Sequence, residues 1–418
     1  MVRLYSKVIS CLLIGTWLSF SLCGFMDAQN IERLAYVVAI GLDTSTKSQL
    51  NLTFQISVPS GESGSSSSSS EQSSNVILTS VHCDTIHSGM NLVNSYISKQ
   101  LNLTNCKVIV FSEELATRGI SDYIYTFINN KEIRPNVDIL ISKNDAKTFL
   151  ENSEPTLEKL SARYYDVIDA SAKYTGYTSD STISTYFSSI RDTFSQPSAV
   201  LGAVANSSID TDTIVNLNSV SSYSMDSSYT SGQTPIENEK PSTVYMGLSV
   251  FYNDKLVGEL NGIETICHLL VSNQLKTCTL TIPSPFDEDG SIDLFVRPDG
   301  KTRCKVSFVN GSPYIETKVK IKARILSLTE DSNYLSSENI EKIEEYATSY
   351  VENCISEYLY KTAKVLESDI AGFGKYAVTH FKTMEEWNDC HWLALYKDAF
   401  FHVDVKTKVA SSYLLLRT

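Results

Sequence analysis

Between residues 336 and 376 the apolar side chains recur at steps of three and four: Ile340, Ile343, Ala347, Tyr350, Val351, Cys354, Ile355, Tyr358, Leu359, Ala363 and Leu366. That spacing gathers them into one stripe on an α-helix. Ser336 or Ser337 caps the start, Glu338, Glu341, Glu344 and Glu345 crowd the positive end of the helix dipole, and Lys361 and Lys364 lie near its negative end. About thirty residues rising 1.5 Å each make a rod of about 46 Å, which needs a sheet or other helices to cover its stripe. The stripe widens to pairs at 350/351, 354/355 and 358/359, unlike the narrow seam of a coiled coil. The segments on both sides read as strands. The pattern therefore predicts a C-terminal α/β domain with this helix as its spine and Gly372-Phe373-Gly374 as the corner that returns the chain to the sheet.

The same reading applies along the rest of the chain. Ala35–Leu42 and Leu50–Val58 are strands of a first hairpin, and Asn75–Val81 resumes the sheet. Between them, residues 60–74 hold ten serines among fifteen residues, too polar to pack. A helix over Thr85–Leu101 precedes strand Cys106–Phe111, helix Glu113–Phe127, strand Val137–Ile141 and a helix from Asn144, the order of an α/β unit. A helix over Thr182–Phe194 and a strand at 199–204 close the first half. Residues 206–243 are rich in Ser, Thr, Asn and Asp and contain Pro235 and Pro241, which places the main boundary there. Beyond it, Tyr245–Phe251 and Lys255–Leu260 form a hairpin across Asn253-Asp254, followed by a helix and strand Thr277–Ile282. Asn310-Gly311 marks a second tight hairpin, and the stretch from Phe400 supplies a last strand after the long helix. The expected fold class is α+β (mixed α/β) and multi-domain, with the long amphipathic helix against a largely antiparallel sheet. The expected units are 1–22 a signal peptide, 23–84 a β-rich region, 85–205 an α/β subdomain, 206–243 a linker and 244–418 the C-terminal domain.

Composition adds an address and removes some functions. The leader joins a short basic region with Arg3 and Lys7 to an apolar run from Val8 to Leu22, shorter than the roughly 20 residues of a membrane span. The rest of the chain is expected to be exported. Cys23 ends the leader, where a bacterial lipoprotein is cleaved and its new terminal cysteine takes a diacylglycerol on sulfur and an acyl chain such as palmitate on nitrogen. The alternative is an ordinary secretory leader that happens to contain this cysteine. The net charge is −13, and −15 without Arg3 and Lys7. So acidic a chain repels phosphate backbones, and no basic run interleaved with aromatics offsets this, so no nucleic-acid partner is expected.

Chemical motifs are sparse. His82, His87, His268, His380, His391 and His402 make no metal-binding spacing, and the seven remaining cysteines after Cys11 and Cys23 show no CxxC. Residues 287–293 open like a calcium loop but place glycine fourth and Pro298 twelfth. Trp387 and Trp392 could line a pocket, although such residues more often wedge a loop against the core. No nucleophile–base pair stands out. The residues point to no catalytic site, no metal and no cofactor.

Five stretches resemble, in order, the C-subunit lipoproteins of nutrient germinant receptors, the Ger(x)C or GerAC-type family. IERLAYVVAIGLD (31–43) is similar to its opening strand, and KVIVFSEELATRGISDYI (107–124) with EIRPNVDILIS (132–142) to its N-terminal region. MGLSVFYNDKLVGELNGIET (246–265) and LESDIAGFGKY (366–376) resemble its C-terminal region. The chain departs from the family at the anchor, where Leu22-Cys23-Gly24-Phe25 replaces the usual Gly-Cys-Trp-Asp, and the serine tract looks like an insertion. The resemblance implies a non-enzymatic lipoprotein required for spore germination in response to nutrients. It implies a lipid anchor at Cys23, a place on the outer face of the spore inner membrane, and integral-membrane A and B subunits as partners. The small-molecule nutrient would be sensed by the complex. The competing expectation is an extracytoplasmic solute-binding protein that captures the germinant itself.

Overall fold

The structure, a computed structural model, describes residues 2–22, 31–58, 76–153, 161–205, 228–236, 240–287, 290–328 and 336–410. The serine tract, Cys23 and most of 206–243 lie outside them. Helix α1 (Val2–Leu22) covers the apolar leader, and no helix among the described residues is long and apolar enough to cross a membrane.

The first sheet holds β1 (Leu34–Thr44), β2 (Leu50–Ser57), β3 (Val76–Cys83), β4 (Gln100–Asn102), β5 (Val108–Ser112), β6 (Asp138–Ser142), β7 (Ser198–Ala205), β8 (Ser242–Tyr252) and β9 (Lys255–Leu260). Their order is β3-β2-β1-β5-β6-β7-β8-β9, with β4 beside β1. The middle strands β1, β5, β6 and β7 run parallel and read as unbroken apolar runs, because helices cover both faces. Both ends of the sheet are antiparallel.

The helices of this half are α2 (Ile86–Tyr96), α3 (Glu113–Arg118), α4 (Ser121–Ile128), α5 (Ala146–Glu151), α6 (Ser161–Tyr164), α7 (Asp166–Tyr174) and α8 (Ile183–Arg191). The expected helix over Glu113–Phe127 is broken at Gly119, whose φ of +116° no helix allows. The break lets the Ile120 N–H donate to the Asp254 carbonyl (3.1 Å) and Ser121 Oγ to its carboxylate (2.9 Å). A contact far along the chain thus cuts a locally plausible helix in two.

The second sheet contains β10 (Cys278–Pro283), β11 (Ser291–Pro298), β12 (Arg303–Val309), β13 (Ser312–Leu328) and β14 (Phe400–Ala410). The β12–β13 hairpin turns at Asn310 (φ +51°) and Gly311 (φ +87°), the positive angles that an Asn-Gly turn requires. β14 lies parallel to β13 because the connection between them crosses over through helices, while the other pairings are antiparallel. α9 (Gly262–Val271) precedes this sheet. The long helix α10 (Ser337–Tyr360) packs Ile343, Ala347, Val351, Ile355, Tyr358 and Leu359 into the core, and Ser336 caps it by accepting the Asn339 N–H. It is shorter than its sequence pattern: one π-turn at Lys361–Val365 ends it, with the Leu366 N–H donating to the Lys361 carbonyl (3.0 Å). The small helices α11 (Gly374–Ala377), α12 (Met384–Cys390) and α13 (Trp392–Leu395) lead back to β14.

The two sheets meet through the β8–β9 hairpin. It hydrogen-bonds to β7 and so completes the first sheet, while Leu248, Val250 and Leu260 pack into the core under the second. Backbone pairing therefore runs across the boundary expected at 206–243. Within that segment Tyr229, Thr230 and Ser231 are buried, and Ser231 Oγ accepts the Met246 N–H (2.6 Å). The β-rich region and α/β subdomain expected on either side of residue 85 likewise share one sheet, through β1–β5 pairing.

Candidate functional site

The Gly-Phe-Gly corner is built on a residue that the helical pattern did not mark. Asp369 is fully buried. One of its carboxylate oxygens accepts the N–H groups of Gly372 (2.8 Å) and Phe373 (3.0 Å); the other accepts the N–H of Gly374 (3.0 Å) and Nε1–H of Trp392 (2.8 Å). An aspartate three to five residues before a run of free amides forms such a clasp readily, since its short side chain reaches its own following backbone. Burial pushes the Asp369 carboxyl up to about 6, while the four donors pull it back. At neutral pH it is ionised, and the four N–H groups meet the acceptor they need.

The corner is also a joint. The Asp369 carbonyl accepts the Gln196 N–H (2.8 Å), Ser368 Oγ donates to the Phe251 carbonyl (2.6 Å), and Trp387 Nε1 donates to Thr193 Oγ1 (2.9 Å). Phe194 lies against Trp387, which stacks on Trp392 at 6.0 Å. Trp387 and Trp392 are buried, so they wedge the corner against the core and against the segment that leads into β7. Gly372 takes φ +74°, the left-handed region expected for it.

Beside the joint lies a polar cleft of about 930 Å³ between α7, α8, the end of α9 and residues 370–375. Asp138, Asp169, Asp180 and Asp192 line it, with Lys173, Lys276 and Lys375. Burial, then repulsion from Asp169 and Asp180, pushes the Asp138 carboxyl up to about 8, so it holds a proton at neutral pH. Two buried side chains of the lining, Tyr186 and Gln196, keep unpartnered polar atoms, Oη and Nε2. No short sequence motif announces this cleft, because its walls come from residues 136 to 375.

The histidines are not brought together. His82 bonds Ser45 (3.0 Å), His380 bonds the Val306 carbonyl (2.6 Å), and His268 meets the Tyr358 hydroxyl (2.9 Å) inside the core. Among the described residues no group of His, Cys, Asp and Glu is placed to hold a metal ion, and the cysteines are unpaired. Burial holds His268 down to about 4. It therefore stays neutral in the fold, whereas the unfolded chain protonates near 6.5. The stability this provides is present above pH 6.5 and is lost as pH falls towards 4. Urea melts at neutral pH and at about pH 4.5 should show a loss of about 2–3 kcal/mol from this group, absent in His268→Gln. Equal pH slopes for the two proteins would refute the assignment.

A two-sheet α+β protein whose halves are locked by a buried carboxylate corner is the class that this geometry defines. Comparison with known proteins gives the family. Residues 27–205 match the model of a spore germination protein N-terminal domain, and residues 246–413 match that of the spore germination B3/GerAC-like C-terminal domain. The chain belongs to this Ger(x)C family of spore germination proteins. It is 20% identical over 406 residues to the spore germination protein GerQC of Bacillus cereus, covering 94% of this chain and 96% of that one. It is 21% identical over 408 residues to the spore germination protein B3 of Bacillus subtilis strain 168, covering 93% and 94%. The crystal structure of the GerBC protein shares the fold, with a TM-score of 0.51 at 18% identity, covering 91% of this chain and 99% of that one.

Proposed function

We propose that this chain is the C subunit of a nutrient germinant receptor: a lipoprotein anchored through Cys23 at the outer face of the spore inner membrane. There it docks integral-membrane A and B subunits and performs no chemistry of its own. The observation that carries this reading is the ordered match of both family domains over most of the chain. Helix α1 supports a membrane address, because its large apolar side chains from Leu4 to Ile14 are exposed. A tether raises the local concentration of the folded domains at their partners, and a single acyl chain holds only marginally.

Cys23→Ala is expected to shift the protein out of the membrane fraction and to weaken germination in nutrients, while germination by direct chemical triggers persists. Full membrane retention with a normal nutrient response would count against the anchor. The polar cleft, with Tyr186 Oη and Gln196 Nε2 unpartnered, favours a second reading in which the subunit itself captures the nutrient. Titration calorimetry of the full chain with candidate amino acids and sugars separates the two. Micromolar binding without partners supports direct capture, and no heat supports the docking module.

A further inference from the structure

The outer face of the second sheet carries a charge pattern opposite to that of the whole chain. Along β13 the side chains alternate: Val319, Ile321, Ala323 and Ile325 are buried, and Lys318, Lys320 and Arg324 are exposed, with Lys322 half-buried. The neighbouring strands put more cations directly opposite. Arg303 of β12 faces Lys318, Lys320 faces Lys406 of β14, and Lys322 faces both Lys408 of β14 and Arg297 of β11. Like charges opposite one another across a sheet destabilise it. The pattern is thus one that folding alone does not favour, in a protein of net charge −13.

Two ordinary explanations fall short. Lysines often guard an exposed sheet edge against unwanted pairing. Here, however, most of the row lies on β13, which is flanked by β11 and β12 on one side and β14 on the other. At the edge itself, α10 supplies cover: the Thr407 and Val409 N–H groups donate to Thr348 Oγ1 (3.3 Å) and Glu344 Oε1 (2.8 Å). Local neutralisation is also incomplete. Asp299 pairs with Lys322 (2.6 Å), Asp404 lies 3.9 Å from Lys318, and Glu316 stands opposite Lys305. Asp299 has its carboxyl held below the ordinary range by the Lys322 hydrogen bond, with Lys320 and Lys408 adding to it, so one carboxylate answers three lysines. At the top of this face a shallow cavity of about 300 Å³ is lined by Phe295 and Ala410 together with Arg297, Lys322, Arg324 and Lys408. Arg324 lies over the Phe295 ring at 5.4 Å.

We propose that this face is a docking surface for an anionic phospholipid bilayer. A sheet face with cations on alternate residues of adjacent strands matches a plane of phosphates by charge, and the Phe295 cavity offers apolar floor beneath a cationic rim. That combination suits the phosphate and glycerol of a lipid headgroup better than a free phosphate ion, which gains nothing from the ring. The inference rests on the membrane placement proposed above. It deepens that placement by giving the folded domain an orientation: the second sheet faces the lipid, and the first sheet and the polar cleft lie farther out. The attraction is electrostatic and falls off within about a Debye length, so it acts only on a domain already held near the surface.

The test uses the full chain with phosphatidylcholine vesicles, with and without phosphatidylglycerol. Helix α1 partitions into both and sets the common baseline. Each cation near an anionic surface contributes about fivefold in affinity, so Lys320→Gln, Lys406→Gln and Lys408→Gln combined should weaken binding to the phosphatidylglycerol vesicles roughly a hundredfold. Binding to phosphatidylcholine alone should not change. All three positions are exposed, and an unchanged melting curve shows that the variant is folded. Equal wild-type binding to both vesicles overturns the proposal, as does a triple variant that binds like wild type. Displacement by millimolar inorganic phosphate assigns the cavity to a free anion instead. The assay contains neither spore nor nutrient, so failure here leaves the germination assignment standing, and failure of the Cys23 experiment leaves this result readable.

Discussion

Replacing Asp369 by alanine should destabilise the protein by roughly 3–5 kcal/mol, the range for breaking a buried charged network. Four N–H groups converge on this carboxylate, and each is buried with it. Hydrogen bonds to a charged acceptor are worth about 1.5–3 kcal/mol apiece, and a buried donor left without a partner costs about 1–3 kcal/mol. The contributions share one side chain and do not add, so the lower total is the reasonable expectation. Asp369→Asn is the sharper experiment. It keeps size and shape but turns one acceptor into an NH₂ group facing two other donors, and should still cost about 2 kcal/mol or more. Trp392→Phe removes a single donor and should cost about 1 kcal/mol. Two of the chain's three tryptophans lie at the corner, so tryptophan fluorescence in a urea titration reports on it directly. An Asn variant within about 0.5 kcal/mol of wild type would show that the carboxylate does not hold the joint.

The corner illustrates what could be read from the chain before its fold was known. The helix of 337–360, the Asn310-Gly311 turn and the Asn253-Asp254 hairpin were legible because each depends on residues a few positions apart. The corner glycines were legible for the same reason. Asp369 lies within the stretch 366–376, and its spacing to Gly372 and Gly374 is the available signal. What could not be read depends on distant partners. The apolar run of 244–251 says that a strand is buried on both faces, but not that its backbone pairs with β7 while its side chains serve the other core. The helix expected over Glu113–Phe127 runs through Gly119, and only the distant Asp254 supplies a reason to break there. The π-turn at 361–365 and the parallel placement of β14 follow from packing that no window of sequence contains. The cleft belongs to the same class, being enclosed by four separate segments. The basic sheet face was present as alternation in the sequence, yet net charge hid it, since an overall balance averages over faces that never meet.

Gly374→Ala should be the most damaging single methyl at the corner, and its neighbour provides the control. A Cβ at Gly374 would lie 2.5 Å from the Phe194 carbonyl oxygen, 2.7 Å from Phe194 Cα and 2.8 Å from Trp392 Cδ1. Two of these atoms are backbone of the segment that leads into β7, and the third belongs to a ring held by Asp369. None can move aside without opening the joint. Overpacking of this kind costs about 1–3 kcal/mol where side chains adjust, and more where backbone must shift. At Gly372 the nearest atom to a new Cβ is Ser195 Cβ at 3.6 Å, so space is available and the obstacle is conformational. Its φ of +74° costs a residue with a side chain about 1–2 kcal/mol, and a β-branched one more. Gly372→Val should therefore destabilise the second half while leaving the Gln196–Asp369 backbone bond formed. Gly374→Ala should break that bond first. Hydrogen exchange at the Gln196 amide distinguishes the two: protection should collapse in Gly374→Ala and persist in Gly372→Val at matched stability. If the Gln196 amide stays protected in both variants and Gly374→Ala melts like wild type, the corner is an ordinary turn and the halves are held elsewhere. If the expected order is found, the corner is what fixes how the two sheets face each other. Under the proposed docking role that property matters, because partners on one sheet and a membrane under the other would act together only across a rigid joint.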